Sequence, residues 1–515
     1  MAKMFGGLNR ERPAPSVLDL LPETPDAAQL AQRIRHAGNR PSSDLADVLI
    51  SASRNATAED RIVVLRALQD ASARFWSALD GLLRRQWWHA PVWSSGLASR
   101  IGTGTPDLLE LAMAGCHHNG YLREAAVAAL ARHRQPVAAT LLALRCGDWV
   151  EEVREGARAD LAARLPTMAG DELVAVVEAA LHLENRSEGT WLADQVRALV
   201  RSMPASEMPA VLAMRFHRSR RSAYRIAIEA GRLTTEQLIA TATNDGDQMV
   251  RALCARAATA DADIAQLHRL AASRIALVRA EAVHALAKRG ELATAEDAIT
   301  DASLVVRAAA RNALKLTGPE IADRYRELAR RPPASPGVIA GLGEVGDQSD
   351  VDQFISWLAH PNARARATAV LGLRRLGVTR PDVLKPMLHD SSAAVVAQVV
   401  LSLKRHAGQL DAAALEDLLD PREPAQRRRA AHRLLMAGNV WRRLIADLRL
   451  LAGDDDTLRR QARSDLMVWL DKQAATTWGM PTPQQAAELA SLLRENEALL
   501  GERTTRLLRF HAGTE

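Results

Sequence analysis

The sequence predicts an all-α protein built from stacked two-helix repeats, and three observations predict it. The 515-residue chain is 48% hydrophobic and 25% charged, which is the composition of a folded protein. It contains only 10 Trp, 5 Phe and 3 Tyr, which disfavours a large β-sandwich or barrel because strands are rich in aromatic residues. Finally, one short motif recurs along the chain with the spacing of a helix.

The recurring motif is an apolar residue followed by Arg, then an Ala three residues later and often a Leu seven residues after the Arg. Copies of it centre on Arg123, Arg154, Arg225, Arg251, Arg279, Arg307, Arg366, Arg427 and Arg459. From Arg225 onward the copies follow one another every 26 to 32 residues, if two copies that lack the Arg are included. The wider gap before Arg225 predicts a degenerate copy near residues 191–199.

Each copy is predicted to be the second helix of a helical hairpin. In residues 306–314 the apolar side chains fall at i, i+3, i+4, i+7 and i+8, which is one face of an α-helix. A residue that can cap a helix stands six positions before the Arg, and a short apolar segment precedes it. These predicted N-caps are Asp148, Asp245, Ser273 and Asp301. A single hairpin cannot bury its apolar face, so neighbouring hairpins must stack.

This pattern resembles HEAT repeats, and in particular the short repeats of the bilin-lyase type. The resemblance covers residues 105–470, where the pattern recurs about eleven times. It implies a right-handed α-solenoid of about eleven stacked two-helix repeats with helical caps. It also implies that Asp and Arg side chains form a ladder between neighbouring repeats, and the predicted members are Asp148, Arg154, Asp245, Arg251, Arg279, Asp301, Arg307 and Arg366.

The flanking segments differ from the repeats. Residues 1–27 contain four prolines and are predicted to form an extended arm. Residues 28–104 are predicted to be a helical N-terminal cap, with helices over 43–53 and 57–83 and a cluster of tryptophans. Residues 471–515 are predicted to be C-terminal capping helices, because a terminal repeat needs an atypical cap over its exposed core.

Two groups of residues are candidates for contact with a partner. Arginines in two basic runs could bind phosphate, and Tyr224 beside the first run could stack on unpaired bases. These arginines are Arg218, Arg220, Arg221, Arg225, Arg427 and Arg428. Solvated faces and ion pairs between repeats explain the same runs. Trp87, Trp88 and Trp93 could form a partner-binding hot spot, or they could close the N-terminal end of the core.

Other motifs do not indicate a catalytic, metal or cofactor site. Residues 341–346 read Gly-x-Gly-x-x-Gly, but a dinucleotide site requires a preceding strand, and here the glycines fall at the end of a predicted helix. Cys116, His117 and His118 form a dense group of metal-ligating types, yet no second group complements them. We therefore predict no catalytic residues, no metal and no cofactor.

The composition also indicates a cellular compartment. The three cysteines form no CxxC pair, the net charge is only +6, and no apolar run reaches the ~20 residues of a membrane span. A cytoplasmic location is predicted.

Three hypotheses of function follow from this sequence. The first is a non-catalytic scaffold that binds a partner protein along the concave face of the solenoid. The second is a nucleic-acid-binding protein that resembles the HEAT-like DNA glycosylases, although none of their site residues can be aligned with this chain. The third is an enzyme of the bilin-lyase type, which only the repeat length favours. No membrane partner is expected.

Overall fold

The structure is a computed structural model that describes residues 26–85, 97, 99–101, 103–104, 106–186 and 188–513. In these residues all regular structure is helical, and no strand is present among them. The chain forms two compact units, Met1–Ala262 and Asp263–Glu515. The predicted all-α class is therefore confirmed.

The helices of the first unit begin in the predicted N-terminal cap and continue through the first repeats. In chain order they are α1 (Ala27–Ala37), α2 (Ser43–Asn55), α3 (Ala58–Gln69), α4 (Ala73–Leu83), α5 (Leu108–Gly115), α6 (Gly120–Leu130), α7 (Pro136–Arg145), α8 (Glu151–Arg164), α9 (Gly170–Leu183), α10 (Thr190–Ser202), α11 (Met208–Leu212), α12 (His217–Glu229), α13 (Thr235–Asn244) and α14 (Gln248–Asp261). A 3₁₀ turn at Leu165–Thr167 follows α8.

The helices of the second unit follow in chain order. They are α15 (Ile264–Ala271), α16 (Ala276–Lys288), α17 (Ala293–Ala298), α18 (Leu304–Ala313), α19 (Gly318–Ala329), α20 (Pro336–Val345), α21 (Val351–Ser356), α22 (Ala363–Arg375), α23 (Pro381–Leu384), α24 (Ala393–Leu403), α25 (Ala412–Asp417), α26 (Ala425–Leu435), α27 (Val440–Leu451), α28 (Asp456–Lys472), α29 (Pro483–Glu495), α30 (Glu497–Leu500) and α31 (Glu502–Ala512). Short 3₁₀ turns lie at Gln348–Asp350, Trp357–Ala359, Lys385–His389, Lys404–Gln409 and Ala474–Thr476.

Within each unit the helices pack against their neighbours in the chain. Helix α6 packs on α5, the first helix of its own hairpin, and on α8, the second helix of the next one. The buried face of α8 consists of Val153, Ala157 and Leu161, which occupy one stripe of the helix. Each repeat therefore buries its apolar stripe against the following repeat, as the sequence pattern predicts.

Three segments test the finer sequence predictions. The helix expected over 57–83 is two helices, because Ser72 caps α4 by accepting a 3.2 Å hydrogen bond from the backbone N–H of Phe75. A helix, α10, lies where the degenerate copy was expected, and its fourth residue is Ala193 in place of Arg. Helices α29, α30 and α31 lie in the segment where C-terminal capping helices are predicted, and α29 begins with a capping box between Thr482 and Gln485.

The glycines of the Gly-x-Gly-x-x-Gly motif serve helix packing. Gly341 and Gly343 lie inside α20, and Gly346 is the residue that follows its last turn. A Cβ atom on Gly341 would overlap the ring of Tyr325, whose side chain is fully buried. The motif therefore lets α19 and α20 approach closely and has no strand before it.

Candidate partner-binding surfaces

The repeat arginines share one position in the structure. Each is the fourth residue of the second helix of its hairpin, on helices α6, α8, α12, α14, α16, α18, α22, α26 and α28. They are Arg123, Arg154, Arg220, Arg251, Arg279, Arg307, Arg366, Arg428 and Arg459. From this common position most of the guanidiniums bind the backbone before their own helix, a carboxylate of the next repeat, or both, whereas Arg459 binds Asp456, the first residue of its own helix.

The complete ladder contact is best seen at Arg279. Its Nε and Nη2 donate hydrogen bonds of 2.9 and 2.8 Å to the two carboxylate oxygens of Asp301 in the next repeat. Its Nη1 donates a 2.8 Å bond to the backbone oxygen of Ser273, six residues earlier. Arg366 makes the same contacts with Asp390 and with the backbone oxygen of His360. One arginine thus joins two successive loops by paired, charge-assisted hydrogen bonds.

Other ladder arginines retain the hydrogen bond to the backbone before their own helix but differ in their partner from the next repeat. Arg154 and Arg251 donate to the backbone oxygens of Asp148 and Asp245, at 3.1 and 2.6 Å. Arg307 donates to the backbone oxygen of Asp301, and its other nitrogens bind Glu344. The variation follows the sequence, since Ser273 stands 22 residues after Arg251, at the position that a ladder carboxylate would hold.

The predicted N-caps lie two residues too early. The helix after Asp301 has Ser303 as its N-cap, and the helix after Asp148 has Val150. The carboxylate of Asp301 instead accepts a 2.7 Å bond from the N–H of Ser303, and that of Asp148 a 3.0 Å bond from Val150. These residues form Asx turns that lead into the helix, and this turn leaves the second carboxylate oxygen to the arginine.

The structure also corrects the register of two copies. Arg220, and not Arg225, is the fourth residue of α12, and it binds both carboxylate oxygens of Asp245. Arg428, and not Arg427, is the fourth residue of α26, and it donates a 2.9 Å bond to Asp454. The 25-residue step from Arg220 to Asp245 equals the step from Arg123 to Asp148, and this spacing was the sequence signal that could have found the register.

The first basic run contains two arginines that form ion pairs and two that are exposed. Arg220 and Arg221 bind Asp245 and Asp247, whereas Arg218 and Arg225 are exposed. Tyr224 is buried, and the guanidinium of Arg220 lies over its ring at 5.2 Å, so that ring is not open to a base.

The second basic run is also tied to acceptors within its own unit. Arg427 donates a 3.0 Å bond to Glu423 and another to the backbone oxygen of His389. Arg428 is buried beside Asp454.

The first unit contains a buried ionic network centred on Asp148. The carboxylate of Asp148 accepts hydrogen bonds from Arg123, from Arg145 at 2.9 Å and from Arg84 at 2.8 Å. Although burial raises it, these arginines hold the pKa of Asp148 well below its usual range. The network fixes the loop before α8, because Arg123 comes from α6, Arg145 from α7 and Arg84 from the end of α4.

A pair of exposed aromatic side chains lies over this fixed loop. Tyr121 is 83% exposed and Trp149 is 73% exposed. The first turn of α6, which carries Tyr121, contacts the loop that carries Trp149, since a Cβ on Gly120 would stand 3.3 Å from Cγ2 of Val150. The guanidinium of Arg123 lies 5.6 Å from the ring centre of Trp149. Tyr121 and Trp149, which we call the aromatic pair, therefore stand on adjacent repeats above a rigid base.

No protein-family model matches the chain, and no curated protein matches its sequence. Among solved structures it is similar to one of Kap95p with RanGDP, described in terms of nuclear import complex assembly, with 10% sequence identity and a TM-score of 0.36. That match covers 95% of this chain and 66% of the other, so the chain spans slightly less than two thirds of that structure. It is also similar to the crystal structure of an engineered protein, with 15% identity and a TM-score of 0.19 over 85% of this chain and 98% of the other.

The predicted tryptophan hot spot lies outside the described residues, because Trp87, Trp88 and Trp93 all fall within the segment 86–96. The sequence analysis did not single out Trp149, Tyr121 or the C-terminal Trp478, which is 96% exposed. The signal for the first of these was its position directly after the ladder residue Asp148, where a side chain points away from the core.

The Cys116–His117–His118 group is placed as a packing feature. Burial raises the pKa of the Cys116 thiol to about 12, and burial followed by the charges of His118 and Arg123 lowers the pKa of His117 to about 3. Within the described ranges, no three His, Cys, Asp or Glu side chains are grouped as metal ligands would be. None of the helices in the described part of the chain has both the length and the apolar character that crossing a membrane requires.

Proposed function

We propose that this protein is a non-catalytic helical-repeat scaffold that binds a partner protein, and that the aromatic pair is its principal contact. The observation that carries the proposal is the exposure of Tyr121 and Trp149 on adjacent repeats. Tyr and Trp are enriched at interaction hot spots because they bury large apolar areas and retain a polar group. Both rings are in contact with water in the free protein, and a bound partner would exclude that water.

The base beneath the aromatic pair supports this role. Arg123 has no solvent exposure and is held by Asp148 and by the backbone oxygens of His117 and His118. Trp149 rests on that fixed guanidinium. A contact side chain that is already held in place loses less conformational entropy on binding, so more of its burial contributes to affinity.

The resemblance to HEAT repeats adds the finer parts of the proposal. We propose that the partner lies along the concave face of the solenoid, in the manner that stacked repeats offer an extended surface. The three cysteines are free and buried, which fits the cytoplasm as the proposed compartment.

The test is capture of interacting proteins by the purified full chain, followed by reconstitution with each purified candidate. The variant is the double substitution Tyr121→Ser and Trp149→Ser, and the matched control is Trp478→Ser, which removes a tryptophan that is even more exposed than Trp149. Every capture is repeated with nuclease. We expect a protein that binds the wild type and the control directly and that binds the double variant about tenfold or more weakly.

Two results would contradict the proposal. The first is a set of captured proteins that binds the double variant as well as the wild type. The second is a signal lost with nuclease, which would favour the alternative that the protein binds nucleic acid. The exposed side chains of Arg218 and Arg225 are the observation that favours this alternative. If the protein binds nucleic acid, the binding must weaken steeply as the salt concentration rises.

A further inference from the structure

A second surface of the first unit is built where three helices meet at His182. The carboxylate of Glu178 in α9 is buried, and its Oε1 accepts a 2.9 Å bond from the backbone N–H of Ala73, the first residue of α4. The hydroxyl of Ser219 in α12 donates a 2.9 Å bond to the backbone oxygen of Glu178. These two buried contacts fix the starts of α4 and α12 against α9, one turn before His182.

Three exposed arginines stand on the elements that pack together beside that histidine. Arg74 is the second residue of α4, Arg218 is the second residue of α12, and Arg186 follows the end of α9. Nη2 of Arg186 donates a 2.5 Å hydrogen bond to the hydroxyl of Ser77 in α4. Burial and then the charges of Arg186, Arg74 and Arg218 lower the pKa of His182 to about 4, so the imidazole is neutral at pH 7.

The carboxylates near this group that the structure describes are already engaged. Glu184, two residues before Arg186, pairs with Arg197 at 2.7 Å and accepts a hydrogen bond from the hydroxyl of Ser222. Burial raises the pKa of Glu178, and its oxygens are used by backbone donors. Asp70 is exposed and lies 3.7 Å from Arg215, which stands beside the group and does not belong to it. Arg74, Arg186 and Arg218, which we call the His182 arginines, are therefore not matched by described carboxylates as the ladder arginines are.

The difference between the His182 arginines, which no described carboxylate matches, and the paired ladder arginines favours a compact anion site over an extended nucleic-acid-binding surface. A nucleic-acid track requires many cations spaced along a surface, and in the basic run of α12 the next two arginines, Arg220 and Arg221, are already bound to Asp245 and Asp247. What remains is a small group of cations on three elements that meet at His182. Such a group matches a single concentrated charge, and a phosphomonoester carries a charge of about −1.5 to −2 at pH 7.

We propose that the His182 arginines form a binding site for a phosphomonoester dianion, with Arg186 and Arg218 as its main donors. The planar guanidinium suits phosphate because it donates two parallel hydrogen bonds. The neutral ring of His182 packs edge to face on Phe216, with ring centres 5.2 Å apart, and this contact fixes the floor of the site. Phe216 also lines a cavity of 340 Å³ with Arg35 and Arg215, which provides room for the group that carries the phosphate.

The experiment is calorimetric titration of the full chain with inorganic phosphate in buffered chloride. The variants are Arg186→Gln and Arg218→Gln, and the matched control is Arg225→Gln, an exposed arginine two turns further along the same helix. We expect phosphate to bind the wild type and the control equally and to bind each variant about tenfold or more weakly. The bound dianion should also raise the pKa of His182, which a proton NMR titration of its ring detects.

Two further probes identify the source of the phosphate. A phosphoserine peptide that binds more tightly than inorganic phosphate, while its unphosphorylated form does not bind, assigns a phosphorylated protein as ligand. Equal affinities assign a small phosphorylated molecule. Either result supports the site, whereas competition by an oligonucleotide without terminal phosphate overturns it in favour of nucleic acid.

The absence of phosphate binding, or equal weakening by Arg218→Gln and Arg225→Gln, also overturns the proposal. The aromatic pair is not altered in these variants, so this site and the protein-binding function can fail separately.

Discussion

Arg123 binds Asp148 through two side-chain hydrogen bonds, of 3.0 Å from Nε and 2.8 Å from Nη2, although both side chains are fully buried. The remaining Nη1 donates to the backbone oxygens of His117 and His118 at 2.9 Å. A buried cation is tolerated only when its hydrogen-bonding capacity is satisfied, and this pattern satisfies it. The contact therefore depends on the shape of guanidinium as well as on its charge.

From this geometry we predict that Arg123→Lys destabilises the protein although it preserves the charge. An ammonium cannot reach both oxygens of Asp148 and both backbone oxygens, so buried acceptors lose their donors. We expect a loss of about 3 kcal/mol in the free energy of unfolding, measured by urea denaturation. Arg225→Lys is the control, because Arg225 is exposed, and its effect should be within about 0.5 kcal/mol. Equal effects would contradict the assigned role of Arg123.

The ladder also predicts a dependence of stability on acid. Burial raises the pKa of Asp301, but the hydrogen bonds from Arg279 and from the N–H of Ser303 outweigh it and leave the pKa below its ordinary value. A lowered folded pKa means that the ionised carboxylate stabilises the fold above about pH 4, and that this contribution is lost as the pH falls through the folded value.

Asp301→Asn removes the titrating group and provides the test. The wild type should be more stable than this variant at pH 7, and the difference should shrink as the pH is lowered below about 4 in urea unfolding series. Asp297→Asn is the control, since Asp297 is exposed on the preceding helix and stands outside the ladder. A difference that is the same at pH 7 and pH 3 would show that Asp301 acts without its charge.

The sequence was a good guide to the repeats because their spacing is set by local helix geometry. The periodicity of residues 306–314 predicts α18, and the 25-residue step would have identified Arg220 as the ladder member. What the pattern alone could not assign was the Asx turn, since Asp is favoured both at an N-cap and two residues before it. The site at His182 was also beyond reach, because Arg74 and Arg218 are 144 residues apart and meet only through tertiary packing.

Glycine substitutions test the packing of α19 and α20. Gly341→Ala should destabilise the protein by about 3 kcal/mol, because the added methyl group would occupy the space of the buried Tyr325 ring. The phenol also donates a 2.7 Å hydrogen bond to the backbone oxygen of Ile299, which the displaced ring would lose. Gly81→Ala is the matched control, since Gly81 lies inside α4 and a methyl group added to it would have no described neighbour within 4 Å.

The two alanine variants should change stability in opposite directions. Alanine is a better helix former than glycine by about 1 kcal/mol, so the control should raise the urea midpoint while Gly341→Ala lowers it. A stabilised Gly341→Ala variant would mean that α19 and α20 can separate at no cost.

A buried acid in the second unit leads to the last prediction. Nε2 of His432 in α26 lies 2.6 Å from Oδ1 of Asp447 in α27, and both side chains are buried. Burial, followed by the hydrogen bond to and the charge of Asp465, raises the pKa of Asp447 to about 10, and burial lowers the pKa of His432. At neutral pH the pair is therefore a neutral carboxylic acid and a neutral imidazole that share one proton.

The sign of the pH effect is opposite to that of Asp301. The folded state keeps a proton on Asp447 that the unfolded chain releases above about pH 4, so its stabilising contribution is present below pH 4 and declines as the pH rises toward 10. Asp447→Asn is permanently neutral and can donate to the imidazole. We expect the stability of this variant, relative to the wild type, to increase from pH 5 to pH 9 in urea unfolding, because the wild type releases about one more proton per molecule on unfolding than the variant does. Parallel curves over this range would mean that the folded state holds no extra proton, with Asp447 ionised beside a neutral His432, and Asp471→Asn, on the exposed side of α28, should give such parallel curves.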